Sequence, residues 1–415
     1  MKLPHVVGYD SPMEVIETIE NAEIIVGIPS KNSAPTISYV IHNALKGLEK
    51  YFEGTNYAII VCDGLSEDST VDIVKALKNR IKELTIVPNI KSKGKGGALK
   101  TIFELVDEYS DAKALILVDS DLRSITPEWI ALLGKGALSY GLVTPLYIRH
   151  KYDATITNLI ARPLTTMLYA INIKQPIGGD FGLNRKLVSM LANSPLWNAH
   201  PWFYLFGVDI FVTHTALANK MKVAEAELKA KIHEAKDPSV ALKGMFIEVT
   251  GALFTLIYEY EETWTSIKVD KIAEPPKISE PKVPEIKPWE VRISKQKIKE
   301  IFINGLKDYK TIYEKILDKN LLRKLYKNNT IENGIDIHLW INILISYAKA
   351  YKREYKTISR ARILETLIPL WQGRLLNYVN EVEELEDEEA RKVIDNECKE
   401  FFRYRNYLKN TYSSP

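Results

Sequence analysis

The sequence predicts an α/β domain with a mostly parallel sheet in three layers, followed by an all-helical C-terminal domain. Three observations support this prediction. Short apolar runs alternate with stretches of helical periodicity in the first half, a proline-rich segment follows, and helical periodicity continues to the end. The 415 residues are enough for two or three domains. We predict boundaries at 1–268 for the α/β domain, 269–290 for a Pro-rich linker and 291–415 for the helical domain.

Five apolar runs rich in Val and Ile predict strands that are buried on both faces, as in a parallel sheet. They span residues 23–29, 57–63, 83–88, 113–119 and 140–146. Helical spacing between them, at 35–51 and 69–80, predicts right-handed strand–helix–strand crossovers. Because such sheets bind ligands beyond the carboxyl ends of their strands, we expect functional residues directly after each run.

The segment after the α/β domain is rich in proline. It contains Pro275, Pro276, Pro281, Pro284 and Pro288. Repeated prolines oppose a helix or a central strand and favour an extended connection. From Val291 onward, apolar residues three and four apart predict helices.

The composition predicts a soluble protein of the cytoplasm. Fifty-six basic against fifty-three acidic side chains leave a net charge of +3, which excludes a polycation dedicated to nucleic acid or anionic membranes. Two cysteines cannot build a disulfide framework, which favours a reducing compartment. The N-terminus lacks the apolar core of a signal peptide, and no apolar run reaches the roughly 20 residues of a membrane span. We therefore expect no nucleic-acid partner and no membrane association.

The triplet Asp119-Ser120-Asp121 is the clearest chemical signal. Two carboxylates at this spacing, leaving a strand end, can reach one divalent cation, and oxygen ligands suit Mg²⁺ or Mn²⁺. From spacing alone, an acidic turn without a metal is the alternative, since such turns are common. The position of the triplet after the fourth predicted strand favours the metal site.

Three further strand ends carry polar or glycine-rich segments. Pro29 and Lys31 follow the first strand, and the Asp63 carboxylate could accept a hydrogen bond from a base or a ribose hydroxyl. Glycines around Lys95, at 94–97, would let backbone amides approach a phosphate at a helix N-terminus. The alternative is a flexible basic turn, since the Walker A spacing is absent.

Several residues farther along the chain are also candidates. Asp209 lies in an apolar run, where an ionised carboxylate is costly to bury; an exposed face or a structural hydrogen bond is the alternative. His233 could complete a metal site or be structural. Arg149, Asp153 and Thr157 are spaced by four and would share one face of a helix. An Arg fork beside hydroxyl-binding groups suits a small hydroxy acid, and a solvated ion pair is the alternative.

The ordered motifs PSKN, DGLS, GKGG, DSD, TNLIARP and QPIGGDFGLNR together resemble a known group of enzymes. They are similar to the retaining GT-A nucleotide-sugar transferases that make compatible solutes. These are the glucosyl-3-phosphoglycerate, glucosylglycerate and mannosylglycerate synthases. The resemblance runs from about Ile24 to Lys236, and PLWQGRLLNYV in the helical tail extends it. It implies a Rossmann-like GT-A fold for the first domain.

The resemblance also implies roles for individual residues. The nucleotide would contact Pro29, Lys31, Asp63, Lys95, Asp119 and Ser120. The cation would be ligated by Asp121 and His233, with Asp119 beside the ribose and the metal. The donor sugar would be lined by Gly178, Gly179 and Asp180. The catalytic residues would be Asp209, Lys95 and Asp180, and the acceptor would be bound by Arg149, Asp153 and Thr157.

Departures from these relatives bear on the acceptor. Thr155 stands where the phosphoglycerate enzymes carry an arginine, and Lys236 is the single basic residue just after His233. A doubly charged phosphate needs several cationic or amide partners, so their loss favours unphosphorylated glycerate. Ser33 replaces an acidic residue in the nucleotide loop, which leaves the base undecided.

The predicted reaction transfers a hexose, glucose before mannose, from a nucleoside diphosphate sugar to D-glycerate. The product would be the compatible solute glucosylglycerate or mannosylglycerate, and the cofactor Mg²⁺ or Mn²⁺. A homo-oligomer, a dimer, is also expected. Asp209 would stabilise an oxocarbenium-like transition state or act as nucleophile. The alternatives are a glucosyl-3-phosphoglycerate synthase, an inverting transferase of the family 2 type, and a non-enzymatic nucleotide-sugar sensor.

Overall fold

The structure of the chain is a computed structural model that describes residues 6, 8–233, 242–353 and 358–412. In these ranges eight strands form one sheet, in the order β3-β2-β1-β4-β6-β5-β7-β8. The strands are β1 Ile24–Ser30, β2 Tyr57–Asp63, β3 Leu84–Pro88, β4 Ala114–Leu117, β5 Leu142–Ile148, β6 Phe181–Asn184, β7 Val223–Ala230 and β8 Lys277–Ile278. β6 runs antiparallel to β4 and β5, and the other pairs are parallel. The predicted α/β class with a mostly parallel sheet is confirmed.

Helices precede, connect and follow the strands. In the first part of the chain they are α1 Pro12–Ile19, α2 Ile37–Tyr51, α3 Thr70–Lys78, α4 Lys95–Tyr109, α5 Pro127–Ser139, α6 Arg162–Tyr169, α7 Arg185–Ala192 and α8 Val208–Ala218. A π-helix spans Thr157–Ala161, and two 3₁₀ helices span Pro195–Asn198 and Pro201–Tyr204. The later helices are α9 Lys243–Glu259, α10 Glu261–Ser266, α11 Lys295–Asp308, α12 Lys310–Ile316, α13 Lys319–Leu325, α14 Asn328–Asn333, α15 Ile337–Arg353, α16 Arg360–Val382, α17 Asp387–Arg403 and α18 Arg405–Tyr412.

The strand residues alternate between two helix layers, as period-2 side-chain alternation requires. Ile24, Val26 and Ile28 of β1 belong to a buried cluster with residues of α2, α3 and α5. Gly27 faces the other layer, where an added Cβ would lie 2.9 Å from Ile102 of α4. Helices therefore cover both faces of the sheet, and the three-layer prediction holds.

The chain divides into two compact units, each built from several stretches. The sheet unit comprises Met1–Ile148, Lys174–Glu234 and Pro275–Pro288, and the helical unit comprises Arg149–Ile173, Ala235–Glu274 and Trp289–Pro415. This division differs from the boundaries predicted at 268 and 290. The segment after β5 groups with the helices because it turns into the π-helix and α6, and α6 packs on α17. Much of the proline-rich stretch groups with the sheet unit, where β8 pairs with β7 at the sheet edge, a position that tolerates neighbouring prolines.

The helical unit has its own core around α16. This helix packs on α9, α11 and α15, and it retains Pro369 in its interior. Gly305 of α11 allows the approach, since an added Cβ would lie 2.1 Å from the Pro369 ring. Trp340 is buried and donates through Nε1 to the Leu159 carbonyl at 2.8 Å. Among the described residues, no helix is long and apolar enough to cross a membrane.

Candidate functional site

Three loops that follow β1, β2 and β4 are hydrogen-bonded to one another at the carboxyl edge of the sheet. Ser33 Oγ lies 2.8 Å from Ser120 Oγ, and Thr36 donates to the Ser120 carbonyl at 2.8 Å. The Asn32 N–H donates to Ser66 Oγ at 2.8 Å. The structure thus brings together the segments that the sequence singled out, at 29–32, 63–66 and 119–121.

Asp63 lies fully buried at the end of β2. Its carboxylate accepts hydrogen bonds from the Tyr9 hydroxyl at 2.8 Å and from the Ser66 N–H and Oγ at 2.8 and 2.6 Å. Burial first, and the bond to Asp63 second, raise the pKa of Tyr9. These contacts shape the loop after β2. Pro29 is buried in β1 and Lys31 is exposed, and the nucleotide contacts of all three predicted residues stay predictions.

Lys95 occupies the first turn of α4 and joins two carboxylates that are far apart in the sequence. Its Nζ lies 2.7 Å from Asp119 Oδ1 and 3.1 Å from Asp209 Oδ1. Asp209 itself lies in the first turn of α8 and is 7% exposed. Three residues predicted from separate motifs therefore meet in one place.

Lys231, at the end of the β7 segment, extends this arrangement on the other side of Asp119. Its Nζ donates to Asp119 Oδ2 and Asp180 Oδ2, both at 2.7 Å, and to the Gly178 carbonyl at 2.9 Å. The Tyr147 hydroxyl also bonds Asp180, and Asp180 Oδ1 accepts from the Asp119 N–H at 2.8 Å. We name Lys95, Lys231, Asp119, Asp180 and Asp209 the lysine–aspartate cluster.

Burial and the two lysines set the protonation of the cluster. For Asp119, burial favours the neutral acid, but the charges of Lys231 and then Lys95 outweigh it and hold its pKa well below the ordinary value. Burial raises the pKa of Asp180 despite the opposing charge of Lys231. Burial also raises the pKa of Asp209 to about 6, against the charge of Lys95. Three carboxyl groups against two ammonium groups give the cluster no excess positive charge for a phosphate.

Sequence reasoning missed Lys231. In an alternating strand a lysine normally indicates the solvent face, yet Lys231 is 8% exposed. A β-bulge explains the difference, because the β5–β7 register shifts at Leu146/Tyr147 and Lys229 has φ +62°. The one available signal was its position two residues before His233 at a strand end.

The glycines around Lys95 serve close backbone packing. An added Cβ at Gly96 would lie 1.9 Å from the Phe203 carbonyl oxygen, and one at Gly94 would lie 2.6 Å from that of Tyr204. Gly94 also has φ +114°. This packing seats the N-terminus of α4, with Lys95, against the 3₁₀ segment that precedes α8. The predicted phosphate contact of these glycines stays a prediction.

Gly179 makes room for the cluster, and its replacement by alanine should be costly. An added Cβ would lie 2.6 Å from Asp119 Oδ2 and 3.0 Å from Lys95 Nζ, and φ is +86°. The matched control is Gly54→Ala, with φ +75° and nothing within 4 Å of the added Cβ. We expect Gly54→Ala to lose about 1–2 kcal/mol of unfolding free energy from backbone strain alone. Gly179→Ala should lose clearly more in urea denaturation, and equal losses would contradict the contact argument.

The predicted cation ligands Asp121 and His233 come from two neighbouring backbone segments. The Arg123 N–H donates to the Ile232 carbonyl at 2.8 Å, and the Ile232 N–H donates to Ser124 Oγ at 2.8 Å. Asp121 is exposed and His233 is half-buried. Among the described residues, no group of three His, Cys, Asp or Glu side chains could hold a metal. The two carboxylate oxygens of Asp119, the third predicted ligand, are paired with Lys95 and Lys231 in this structure.

The predicted acceptor residues lie in the helical unit. Arg149 and Asp153 form an ion pair at 2.8 Å, with the Arg149 side chain 12% exposed. The segment between them is a turn, closed by a hydrogen bond from the Asp153 N–H to the His150 carbonyl at 2.9 Å. Thr157 is buried at the start of the π-helix. The condition of one continuous helix face is therefore not met, although Arg149 and Asp153 are in contact.

Comparisons with known proteins point to one family. The sequence profile of the mannosylglycerate synthase GT domain matches residues 41–255, just over half of the chain. A curated mannosylglycerate synthase from Selaginella moellendorffii is 24% identical over 218 residues, which cover 48% of this chain and 50% of that protein. The chain thus spans about half the length of this curated relative.

Two solved structures are also similar. One is a glucosyl-3-phosphoglycerate synthase from Mycobacterium tuberculosis in complex with Mn²⁺, UDP and glucosyl-3-phosphoglycerate. It is 20% identical with a TM-score of 0.44, over 63% of this chain and 86% of that one. The other is a mannosyltransferase from Pyrobaculum calidifontis in complex with GDP-Man and Mn²⁺. It is 13% identical with a TM-score of 0.42, over 94% of this chain and 86% of that one.

Proposed function

Because the chain belongs to the family of mannosylglycerate synthase GT domains, we propose that it is a retaining hexosyltransferase that acts on D-glycerate. The donor would be a nucleoside diphosphate sugar, with glucose as the first candidate hexose and mannose as the second. The observation that carries the proposal is the lysine–aspartate cluster, in which Asp119 is shared by Lys95 and Lys231 at the carboxyl edge of the sheet. This is where an α/β sheet binds its ligands.

The residues present fit a divalent cation. Asp121 is exposed, and the described residues offer it no hydrogen bond or ion pair, so its carboxylate is available as a ligand. Carboxylate and imidazole ligands from Asp121 and His233, completed by donor phosphates, are a usual environment for Mg²⁺ or Mn²⁺. The cluster's lack of excess positive charge supports the need for such a cation. When bound, it would act as a Lewis acid towards the departing diphosphate.

The chain's own residues would position the donor and stabilise charge. Lys95, held between Asp119 and Asp209, would face the developing negative charge of the leaving group. Lys231 would hold Asp119 and Asp180 in place beside Gly178 and Gly179, which would line the donor sugar. Asp209 would stabilise positive charge at the anomeric carbon in an oxocarbenium-like transition state. The leaving diphosphate would accept the proton of the attacking hydroxyl on the same face of the sugar.

The acceptor would be bound by its carboxylate and hydroxyl groups. Arg149 would bind the carboxylate through its guanidinium fork, and Asp153 and Thr157 would bind hydroxyls. Position 155 holds a buried threonine, 1% exposed, and so offers no cationic side chain to a phosphate. This supports glycerate over 3-phosphoglycerate as the acceptor.

The test is a panel of donors and acceptors. Purified protein is incubated with UDP- or GDP-linked glucose or mannose, with D-glycerate or 3-phosphoglycerate, and with Mg²⁺ or Mn²⁺. We expect nucleoside diphosphate release that depends on D-glycerate, and a hexosylglycerate by mass spectrometry. A higher kcat/KM with 3-phosphoglycerate than with D-glycerate would identify 3-phosphoglycerate as the acceptor. The absence of acceptor-dependent release across the whole panel would refute the proposal.

The Arg149→Ala substitution should weaken the binding of the acceptor and leave the binding of the donor unchanged. Loss of charge-assisted hydrogen bonds worth about 1.5–3 kcal/mol should raise the KM for D-glycerate roughly 10- to 100-fold. The KM for the donor should stay within about twofold of wild type. The control is Arg362→Ala, because Arg362 is an exposed arginine paired with Glu365 at 2.7 Å in the same unit. Equal rises in both KM values would contradict the acceptor assignment.

The raised pKa of Asp209 predicts an acidic limb in the dependence of kcat/KM on pH. Burial raises its pKa to about 6, so the carboxylate needed to stabilise the transition state is lost as the pH falls through that value. The kcat/KM for the donor should therefore rise with pH between about pH 5 and 7, since this parameter reports groups of the free enzyme. Asp209→Asn should be much slower and should lack this limb. A limb that persists unchanged in Asp209→Asn would assign it to another group.

A further inference from the structure

Residues 149–154, which we name the acceptor turn, are not held by regular secondary structure. Arg149 is its first residue and Asp153 is its last but one, and Ala154 takes a left-handed conformation with φ +55°. The local bonds of the turn include the Asp153 N–H to His150 carbonyl bond and the Arg149–Asp153 ion pair. The Tyr152 N–H also donates to His150 Nδ1 at 3.2 Å, and the Ala154 N–H donates to Asp153 Oδ1 at 2.7 Å. These bonds join residues of the turn to one another, so contacts outside the turn must fix its position on the rest of the helical unit.

Lys151, in the middle of the acceptor turn, makes those contacts. Its Nζ donates to the carbonyls of Val382 at 3.1 Å, Glu383 at 2.7 Å and Leu385 at 2.6 Å. An ammonium group has three donors, so all of them have an acceptor here. Val382 is the last residue of α16, Glu383 is its C-cap, and Leu385 lies two residues further along the chain. The C-terminal end of a helix favours a cation, because its last carbonyls carry partial negative charge.

The backbone of Lys151 is bonded to the same region. Its N–H donates to Asp387 Oδ1 at 2.8 Å, at the first residue of α17, and its carbonyl accepts from the Tyr378 hydroxyl at 2.9 Å. Every polar group of Lys151 is thus engaged by residues 378–387.

We propose that Lys151 is a positioning residue that fixes the acceptor turn on the α16–α17 junction and so aims Arg149 and Asp153. This inference rests on the proposed function for the role of those two side chains. The anchoring itself does not depend on the proposed function, because the ammonium–carbonyl bonds hold the turn whatever the acceptor is. A misplacement of about 1 Å in a substrate-binding group can cost roughly 10²-fold in rate, so loose anchoring should be visible in catalysis.

The experiment compares Lys151→Met with Lys409→Met in the whole 415-residue chain. Methionine keeps an unbranched stem of similar length and removes the ammonium. Lys409 is the matched control, since its Nζ also donates to a backbone carbonyl, that of Ile267 at 2.6 Å, elsewhere in the helical unit. Amide hydrogen exchange over 149–154 is measured by mass spectrometry in both variants, together with the KM values for D-glycerate and for the donor.

We expect faster exchange over 149–154 in Lys151→Met but not in Lys409→Met. The KM for D-glycerate should rise roughly 10-fold or more, with the donor KM unchanged, and Lys151→Arg should recover part of the loss. Unchanged exchange in the turn would overturn the inference, as would an unchanged glycerate KM in an active enzyme. Wild type without turnover would refute the proposed function instead, and the exchange result would still decide the anchoring. If Lys151→Met does not fold, Tyr378→Phe, which removes one of the five bonds, should shift both readouts in the same direction by less.

Discussion

Replacing Lys95 by methionine is expected to lower kcat roughly 10²–10³-fold, the loss typical of removing one preorganised group that stabilises transition-state charge. Lys95 is nearly buried and lies 2.7 Å from Asp119 and 3.1 Å from Asp209, so its ammonium cannot move far from where the leaving diphosphate would lie. The same replacement leaves both carboxylates without this counter-charge. Steady-state kinetics at saturating donor and acceptor would measure the effect.

The control for Lys95 is Lys100→Met on the same helix. Lys100 bonds the Tyr204 hydroxyl at 3.1 Å and takes no part in the lysine–aspartate cluster. We expect its kcat to stay within about threefold of wild type, as for a substitution that leaves the reacting groups untouched. An equal decrease in kcat in the two variants would mean that Lys95 affects activity only through the stability of the fold. Urea denaturation of both variants would measure that stability.

Replacing Lys231 by methionine is expected to destabilise the fold by about 3–5 kcal/mol, the cost of removing one partner from a buried ion pair. Lys231 and Asp180 are buried, and the ammonium bonds Asp119 and Asp180 at 2.7 Å each. The lowered pKa of Asp119 means that Lys231 contributes most at neutral pH. The difference from wild type should therefore shrink as the pH falls and the carboxyl groups take up protons.

The control for Lys231 is the lysine of β7 that precedes it by two residues. Lys229 pairs with Glu285 at 2.6 Å, with side chains 27% and 76% exposed, so Lys229→Met should change stability by less than about 1 kcal/mol. Both variants replace a lysine by methionine, so the two substitutions are chemically the same. If the two variants unfold at the same urea concentration, the buried network does not stabilise the sheet unit as we argue.

The sequence predicted the central strands well, for a physical reason. A strand buried on both faces must be apolar throughout, and β2 spans the predicted residues 57–63 while β3 begins one residue late. β6 was missed because it has four residues, FGLN, and includes a glycine. Gly182 packs under Leu133, where an added Cβ would lie 2.2 Å from the carbonyl oxygen, so close packing rather than an apolar run makes this strand.

The candidate site was predicted in part. Asp119, Lys95, Asp180 and Asp209 were singled out from separate motifs, and the structure places them in one cluster. Lys231 was missed because a bulge at Lys229 shifts the alternation of the strand, so that this lysine is buried and not exposed. The sequence also did not predict that each unit is built from several separate stretches of the chain. The helical segment after β5 does not show in its sequence which helices it packs against.

The most direct test of the central claim is a titration of Mn²⁺ into the protein in the presence of a nucleoside diphosphate, followed by electron paramagnetic resonance. We predict nucleotide-dependent binding in wild type and at least tenfold weaker binding in Asp121→Ala and in His233→Ala, since each removes one of the two proposed protein ligands. Asp72→Ala, which removes a carboxylate from the surface of α3, should bind as wild type does. Unchanged Mn²⁺ affinity in both ligand variants would contradict the account.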